Sequence, residues 1–352
     1  MKNPNLPFIL FNVTCILVLS ISVLVQEGMF MDAVLYTDVS RNLSEGYGTF
    51  WLPQFSYHNV SGMPGFLEHP PLVFGIQSVF FKIFGDQIFT ERIYVFFCLC
   101  LSIFLVLKIW KLISNSREEK NIYWLPVFLW LIMPIAFWTY QNNMHENTMV
   151  VFILCSVYFY LVSRKKKKYF YLSIAALSIF LSTFSKGLPG FFPLTLPFLY
   201  WLCFRKNNFM QMITEIIFIT AIPVAIYLIL FNLPASKESL NHYLFDRVLH
   251  RIDADPTVKS RFYILGAIAM QVMIPVVIVS SVVMIAKKKN AFHLQNEKLR
   301  SSIFFILIGL CGSLPIMLTL VQKTFYFTPS LPFLGIGFAL LINQPVSKFI
   351  YQ

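Results

Sequence analysis

Residues 147–185 read NTMVVFILCSVYFYLVSRKKKKYFYLSIAALSIFLSTFS. Two apolar runs, 147–163 and 169–185, flank five consecutive cations, Arg164 to Lys168. A helix needs about 20 mostly apolar residues to cross about 30 Å of hydrocarbon. Both runs approach that length and the cations between them belong in water, so the stretch is predicted to be two membrane spans joined by a charged loop. The pattern continues outward in both directions. Further apolar runs lie near 7–26, 92–113, 121–140, 188–204, 209–231, 262–286, 302–321 and 325–343, which makes about ten spans. The first is too long for a secretory signal and has no small-residue cleavage site after it, so it reads as a retained helix. Composition agrees with an all-α membrane protein. Of 352 residues, 57% are hydrophobic and only 12% charged, about half the charged share of a soluble domain. All six cysteines fall inside apolar runs, as core or lipid-facing residues do, rather than in a disulfide framework.

In a soluble protein the net charge of +12 would suggest nucleic acid. Here the cations follow topology. Lys2, the Lys108–Lys120 segment, Arg164–Lys168, Arg205-Lys206, Lys287–Lys289, Lys298, Arg300 and Lys348 share one side and hold 18 of the 28 basic residues, while 12 of the 16 acids fall on the other. The positive-inside rule assigns both termini to the cytoplasm and no nucleic acid is expected as partner.

Two outer segments are too long to be connectors, 27–91 and 232–261 within a single 1–352 domain, and long loops in compact proteins are usually functional. The first is predicted to carry two amphipathic helices lying in the interface. One spans about 31–45, with Val34, Leu35, Val39 and Leu43 at helical spacing and Gly46 as its stop; the other follows Pro70-Pro71 and runs to Gly85. Asp32, at the membrane boundary, reads as an N-cap or as a base, two compatible roles. The prolines hold Glu68 and His69 beside a helix N-terminus, where phosphate binds readily, and the pair could ligate a divalent metal, the one cofactor the sequence suggests. Lys186 either snorkels to the interface or contacts a ligand. Asp38, Arg41 and Glu45 read as a solvated face with local pairs, and Glu215 as a residue of the cytoplasmic interface.

Taken in order, these blocks resemble the lipid-linked-sugar glycosyltransferases of the GT-C class, in particular the protein mannosyltransferase and bacterial aminoarabinose transferase group. The blocks are Asp32 with Tyr36 and the Glu45-Gly46 turn, Glu68-His69-Pro70-Pro71-Leu72, Glu91-Arg92, the turn Ser185-Lys186-Gly187-Leu188-Pro189-Gly190, and Lys323 with Phe325-Tyr326 and Pro329 to Pro332. The resemblance implies transfer of a sugar from a polyprenyl-phosphate-linked donor to an acceptor lipid, glycan or protein, on the outer face of the cytoplasmic membrane. It implies Asp32 as the catalytic residue, a general base or acceptor-orienting group, His69, Lys186 and Arg251 as donor-phosphate ligands, and Tyr36, Glu146 and Tyr326 at the donor or acceptor site. It further implies Glu68, with His250 or His242 in place of a family histidine, as metal ligands. The chain departs from the family where Ala33 follows Asp32 in place of a second acid, and where His69 stands for a lysine. It also stops at 352, where many relatives continue, so acceptor recognition is expected to be reduced or to come from a partner.

The physics is compatible with that chemistry. A sugar on a lipid phosphate is already activated, so no nucleotide-binding motif is required, and transfer needs a carboxylate for the acceptor's proton and cations for the departing phosphate. The alternatives are a multi-span transporter or flippase, and a polysaccharide polymerase or ligase of envelope assembly. The first would place charges near the bilayer midplane, where this sequence has almost none. Arg247, Arg251 and Arg261 keep the second open.

Overall fold

The computed structural model describes residues 4–24, 26, 28–56, 65–249, 256–290 and 292–351. Among them there are fifteen α-helices and no strand. In chain order these are α1 (Leu6–Leu24), α2 (Met31–Ser44), α3 (Leu72–Phe84), α4 (Thr90–Ile113), α5 (Arg117–Asn121), α6 (Trp124–Leu131), α7 (Pro134–Tyr140), α8 (His145–Ser163), α9 (Lys168–Lys186), α10 (Leu196–Phe204), α11 (Phe209–Asn232), α12 (Pro234–Asn241), α13 (Tyr263–Lys288), α14 (Asn296–Ser313) and α15 (Leu331–Tyr351). The two loop helices, α2 and α3, form within a residue or two of their expected bounds.

Eight helical segments among the described residues are long and apolar enough to cross a membrane, which makes this an integral membrane protein of the multi-span kind. The two further runs expected as spans, 121–140 and 188–204, are built in pieces. In the first, Pro134 at the start of α7 cannot donate to the preceding turn, so the helix ends at α6 and restarts. In the second, Pro189 and Pro193 lie in a 3-10 segment, Leu188–Thr195, that gives way to α10. Hydropathy averaged over a window sees neither break.

The helices divide into a centre and a rim. In α8 and in the segment ending with α15, 78% and 83% of the spanning window is buried inside the protein; in α11 and α13 it is 17%. Apolar side chains on the rim meet lipid, and those in the centre meet each other. Close approach in the centre needs small residues. At Gly335 of α15 an added Cβ would lie 2.8 Å from the Cβ of Trp130, so α6 and α15 pack backbone against backbone there.

The hairpin predicted from 147–185 is α8 and α9, packed along their length. Its Arg164–Lys168 end is closed by an acid. Glu215 of α11 is buried and accepts from Arg164 Nη1 at 2.9 Å, Lys168 Nζ at 2.8 Å and Asn207 Nδ2 at 3.2 Å. Glu215 stands with the loop cations, where an interface residue is expected, and it is buried within the protein there because a carboxylate with this many donors can be withdrawn from water. At the same end, Lys298 of α14 reaches Glu119 of α5 at 2.7 Å. The opposite end of the hairpin holds the start of α8 and the end of α9, and there the polar residues of the long loops gather.

Candidate active site

The chain enters the site through α2. Phe30 occupies the N-cap position and Asp32 falls in the first turn, where a negative charge complements the helix dipole. Asp32 is therefore not the capping residue; the Phe30 backbone N–H is instead taken by Asn142 Oδ1 at 2.8 Å. Tyr36 and Ser40 follow one and two turns on and point inward. Four neutral side chains lock this helix to the core. Ser40 Oγ donates to Gln77 Oε1 at 2.9 Å, Gln77 Nε2 to Asn143 Oδ1 at 2.6 Å, and Asn143 Nδ2 to Thr37 Oγ1 at 2.9 Å. Gln77 and Asn143 are fully buried, so removing one partner would leave the other with an unmet hydrogen bond. On the outer part of α2, Arg41 pairs with Asp38 at 3.2 Å, the local surface pair expected.

The second contribution comes from the residues before α3. Pro71 is its N-cap and His69 is buried, while Glu68 is half-buried. The Tyr36 hydroxyl lies 2.9 Å from His69 Nε2. Burial, then the charges of Glu146 and Asp32, push the Tyr36 phenol far above its ordinary value of 10.0. The phenol therefore keeps its proton and can donate to the ring nitrogen. Behind it the buried His145 ring packs on the Tyr36 ring with centroids 4.1 Å apart.

The hairpin supplies the third. Glu146 falls in the first turn of α8 and Lys186 is the last residue of α9, each sign at the helix end that favours it. Antiparallel packing brings them together as a buried ion pair, Lys186 Nζ to Glu146 Oε1 at 2.5 Å. Lys186 thus points inward instead of snorkelling. The rings of Phe325 and Tyr326 face its ammonium at 5.5 and 5.7 Å, a favourable placement for a desolvated cation.

The second long loop folds in part as α12 followed by a π-helical turn, His242–Leu249. Its Arg247 reaches back 179 residues to form an ion pair with Glu68 through Nη2. Arg247 Nε is buried and has no hydrogen-bond acceptor among the described residues. Arg251 and His250, the expected phosphate and metal ligands, lie outside the described residues.

A cavity of about 430 Å³ joins these parts, with Asp32, Tyr36, Glu68, His69, Lys186 and Tyr326 in its wall together with Arg247 and Lys323. An adjoining cavity of about 120 Å³ shares Glu68, His69, Lys186, Arg247 and Tyr326, and adds Glu146. Seven of the nine residues singled out in the sequence therefore line two touching cavities. Arg247 is not among the expected phosphate ligands, although it stands in the same FDRVLHR stretch as Arg251; its long-range pair with Glu68 brings it forward.

Among the described residues the charges of the larger cavity are unequally matched. Glu68 has Arg247 and Lys186 has Glu146, while the Asp32 carboxylate and the Lys323 ammonium have neither a hydrogen bond nor an ion pair. Glu68 is engaged by Arg247, and no group of three or more His, Cys, Asp or Glu side chains among the described residues could hold a metal ion.

Comparison with known proteins bears on the fold that carries these residues. A family model described as dolichyl-phosphate-mannose-protein mannosyltransferase matches residues 68–233, which run from Glu68 through Glu146 and Lys186. The chain is similar in fold to ArnT from Cupriavidus metallidurans bound to undecaprenyl phosphate, with a TM-score of 0.69 at 16% identity, covering 97% of this chain and 60% of that one. The apo form of the same protein gives a TM-score of 0.67 at 16% identity, covering 98% and 60%. A more distant likeness is to the oligosaccharyltransferase of Archaeoglobus fulgidus in complex with Zn and sulfate, with a TM-score of 0.53, 15% identity and coverage of 96% and 49%. No curated protein matches. The chain thus spans about 60% of the length of ArnT. The resemblance read from the sequence holds, and the fold is the ArnT-like GT-C fold.

Proposed function

We propose that the protein is a membrane glycosyltransferase that moves a sugar from a polyprenyl-phosphate donor to an acceptor lipid, glycan or protein. The observation that carries this reading is the Asp32 carboxylate, without a partner among the described residues, in one cavity with cations already oriented by acids. Asp32 takes the proton of the acceptor hydroxyl as its oxygen bonds to C1 of the sugar. The bond from C1 to the phosphate oxygen breaks and its electron pair leaves with the lipid phosphate. Arg247, whose Nε–H has no acceptor among the described residues, and Lys186 face the charge that grows on that phosphate. Because Glu68 and Glu146 hold these cations in place beforehand, little reorganisation is required at the moment of transfer. Tyr36, as a protonated donor, orients His69, and Tyr326 and Glu146 stand in the wall that receives the donor.

On this reading the protein lies in the cytoplasmic membrane with both termini in the cytoplasm and the cavity on the outer face, in keeping with the charge asymmetry of the loops. The family match and the undecaprenyl phosphate bound by a protein of similar fold support the donor class. The test is mass spectrometry of glycolipids and surface glycans from cells carrying wild-type or Asp32→Asn protein at equal abundance. A glycan present with the first and missing with the second is expected; identical glycan profiles would remove the proposal.

A further inference from the structure

Beside the Glu68–Arg247 pair, two cavities share Leu188 and Tyr243 in their walls, the nearer one charged on one side, where Glu146 and Lys186 also stand, and the farther one apolar. The nearer, of about 120 Å³, has Met149, Leu188, Pro189 and Ile316 in its wall and the charged pair at its polar end. The farther, of about 150 Å³, is bounded by Phe191, Tyr227, Phe231 and Leu240. Tyr243 belongs to the walls of both. Its hydroxyl accepts from the Leu188 backbone N–H at 3.3 Å and rests against Gly187. Gly187 has φ +98°, and an added Cβ there would stand 1.5 Å from the Tyr243 hydroxyl oxygen. Only glycine leaves the ring room to stand where it does.

We infer that Tyr243 is a specificity-determining residue for the lipid of the donor, setting which chain can lie next to the phosphate. The inference rests on the donor class proposed above. A phosphate on Arg247 would direct its first carbons into the nearer cavity, and the chain would continue past the edge of the Tyr243 ring into the farther one. Two small spaces of about 120 and 150 Å³ with Tyr243 in both walls suit one chain and not two, which favours a polyprenyl phosphate over a diacyl lipid. The methyl branches of the first isoprene units would be read against the ring, and Gly187 leaves the ring the room in which it stands.

The test uses the full-length protein in phosphatidylcholine nanodiscs, with competition binding of undecaprenyl phosphate, farnesyl phosphate, n-hexadecyl phosphate and a phosphatidic acid. The wild type is expected to prefer the two prenyl phosphates over the unbranched chain by about tenfold, the scale on which an apolar pocket discriminates by one carbon. Tyr243→Ala should erase that preference, and Tyr243→Phe should keep it. Gly187→Ala, which drives the ring into the cavities, should weaken undecaprenyl phosphate by about tenfold; Tyr243→Trp does the same by bulk and leaves the Gly187 turn intact. A preference unchanged in Tyr243→Ala, or phosphatidic acid competing as well as farnesyl phosphate, overturns the inference. Failure of every prenyl phosphate to bind the wild type instead removes the donor reading itself.

Discussion

The two ends of the α8–α9 hairpin use the same residue types to opposite effect. At the Arg164 end, the buried Glu215 is surrounded by Arg164, Lys168 and Asn207, and Lys298 meets Glu119. At the Lys186 end, Lys186 and Arg247 have carboxylate partners, but Asp32 has none among the described residues and Arg247 keeps an unfilled N–H. A saturated cluster joins helices. One with a group left over, beside a cavity, has the means to act on something that enters it. Burial alone does not separate the two, since Glu215 and Glu146 are both almost wholly buried.

The comparison breaks most sharply at Asp32. Asp32→Asn should cut sugar transfer by about 10²–10⁴-fold, the usual contribution of a positioned base, with unchanged thermal stability; transfer at the wild-type rate would put Asp32 with the structural acids. Glu215→Ala should do the reverse. Removing the acid leaves the partly exposed Arg164 and Lys168 without their acceptor, at about 1–3 kcal/mol of stability, while transfer per folded molecule persists; denaturation and specific activity read the two separately. Arg247→Ala is expected to lower kcat/KM for the lipid-linked donor by about 10²-fold with acceptor KM unchanged, and an unaltered donor dependence would remove its phosphate role.

The smallest effect concerns Glu119. Burial raises its carboxyl, but the hydrogen bond from Lys298 and those from the Asn115 and Ser116 region outweigh this and hold it below its ordinary 4.5. The pair therefore stabilises the fold at neutral pH, and that contribution, about 1 kcal/mol, should be lost as pH falls below 4.5 through the lowered folded value. Lys298→Ala should flatten this part of the stability–pH curve, and an identical curve in the variant would show that the pair contributes nothing.

Much of the site was legible because local signals point to it. The prolines before α3 and the glycine after Lys186 mark where helices begin and end, and a charge beside such a mark in a chain this apolar stands out. The pairings were not legible. Glu146 and Lys186 are 40 residues apart on two helices, and Glu68 and Arg247 are 179 apart; neither spacing leaves a trace in sequence. The same holds for Gln77 and Asn143, neutral amides within segments that read as helix and turn. Lys186 shows the consequence, because a lysine at a helix end looks like an interface anchor until its acid is found. The broken runs at 121–140 and 188–204 were hidden differently, since proline costs little in hydropathy and much in helix geometry.

The Ser40–Gln77–Asn143–Thr37 ring that fastens α2 contains no charge, while the Glu68–Arg247 pair is ionic and half exposed. Dissolved ions screen the second and leave the first untouched. The position of Asp32 should then be indifferent to ionic strength while the grip on a phosphate is not, so added potassium chloride should raise donor KM and leave kcat where it was. On the proposed function, the surrounding electrolyte would then act on how much lipid-linked donor is captured, not on how fast the captured donor is turned over.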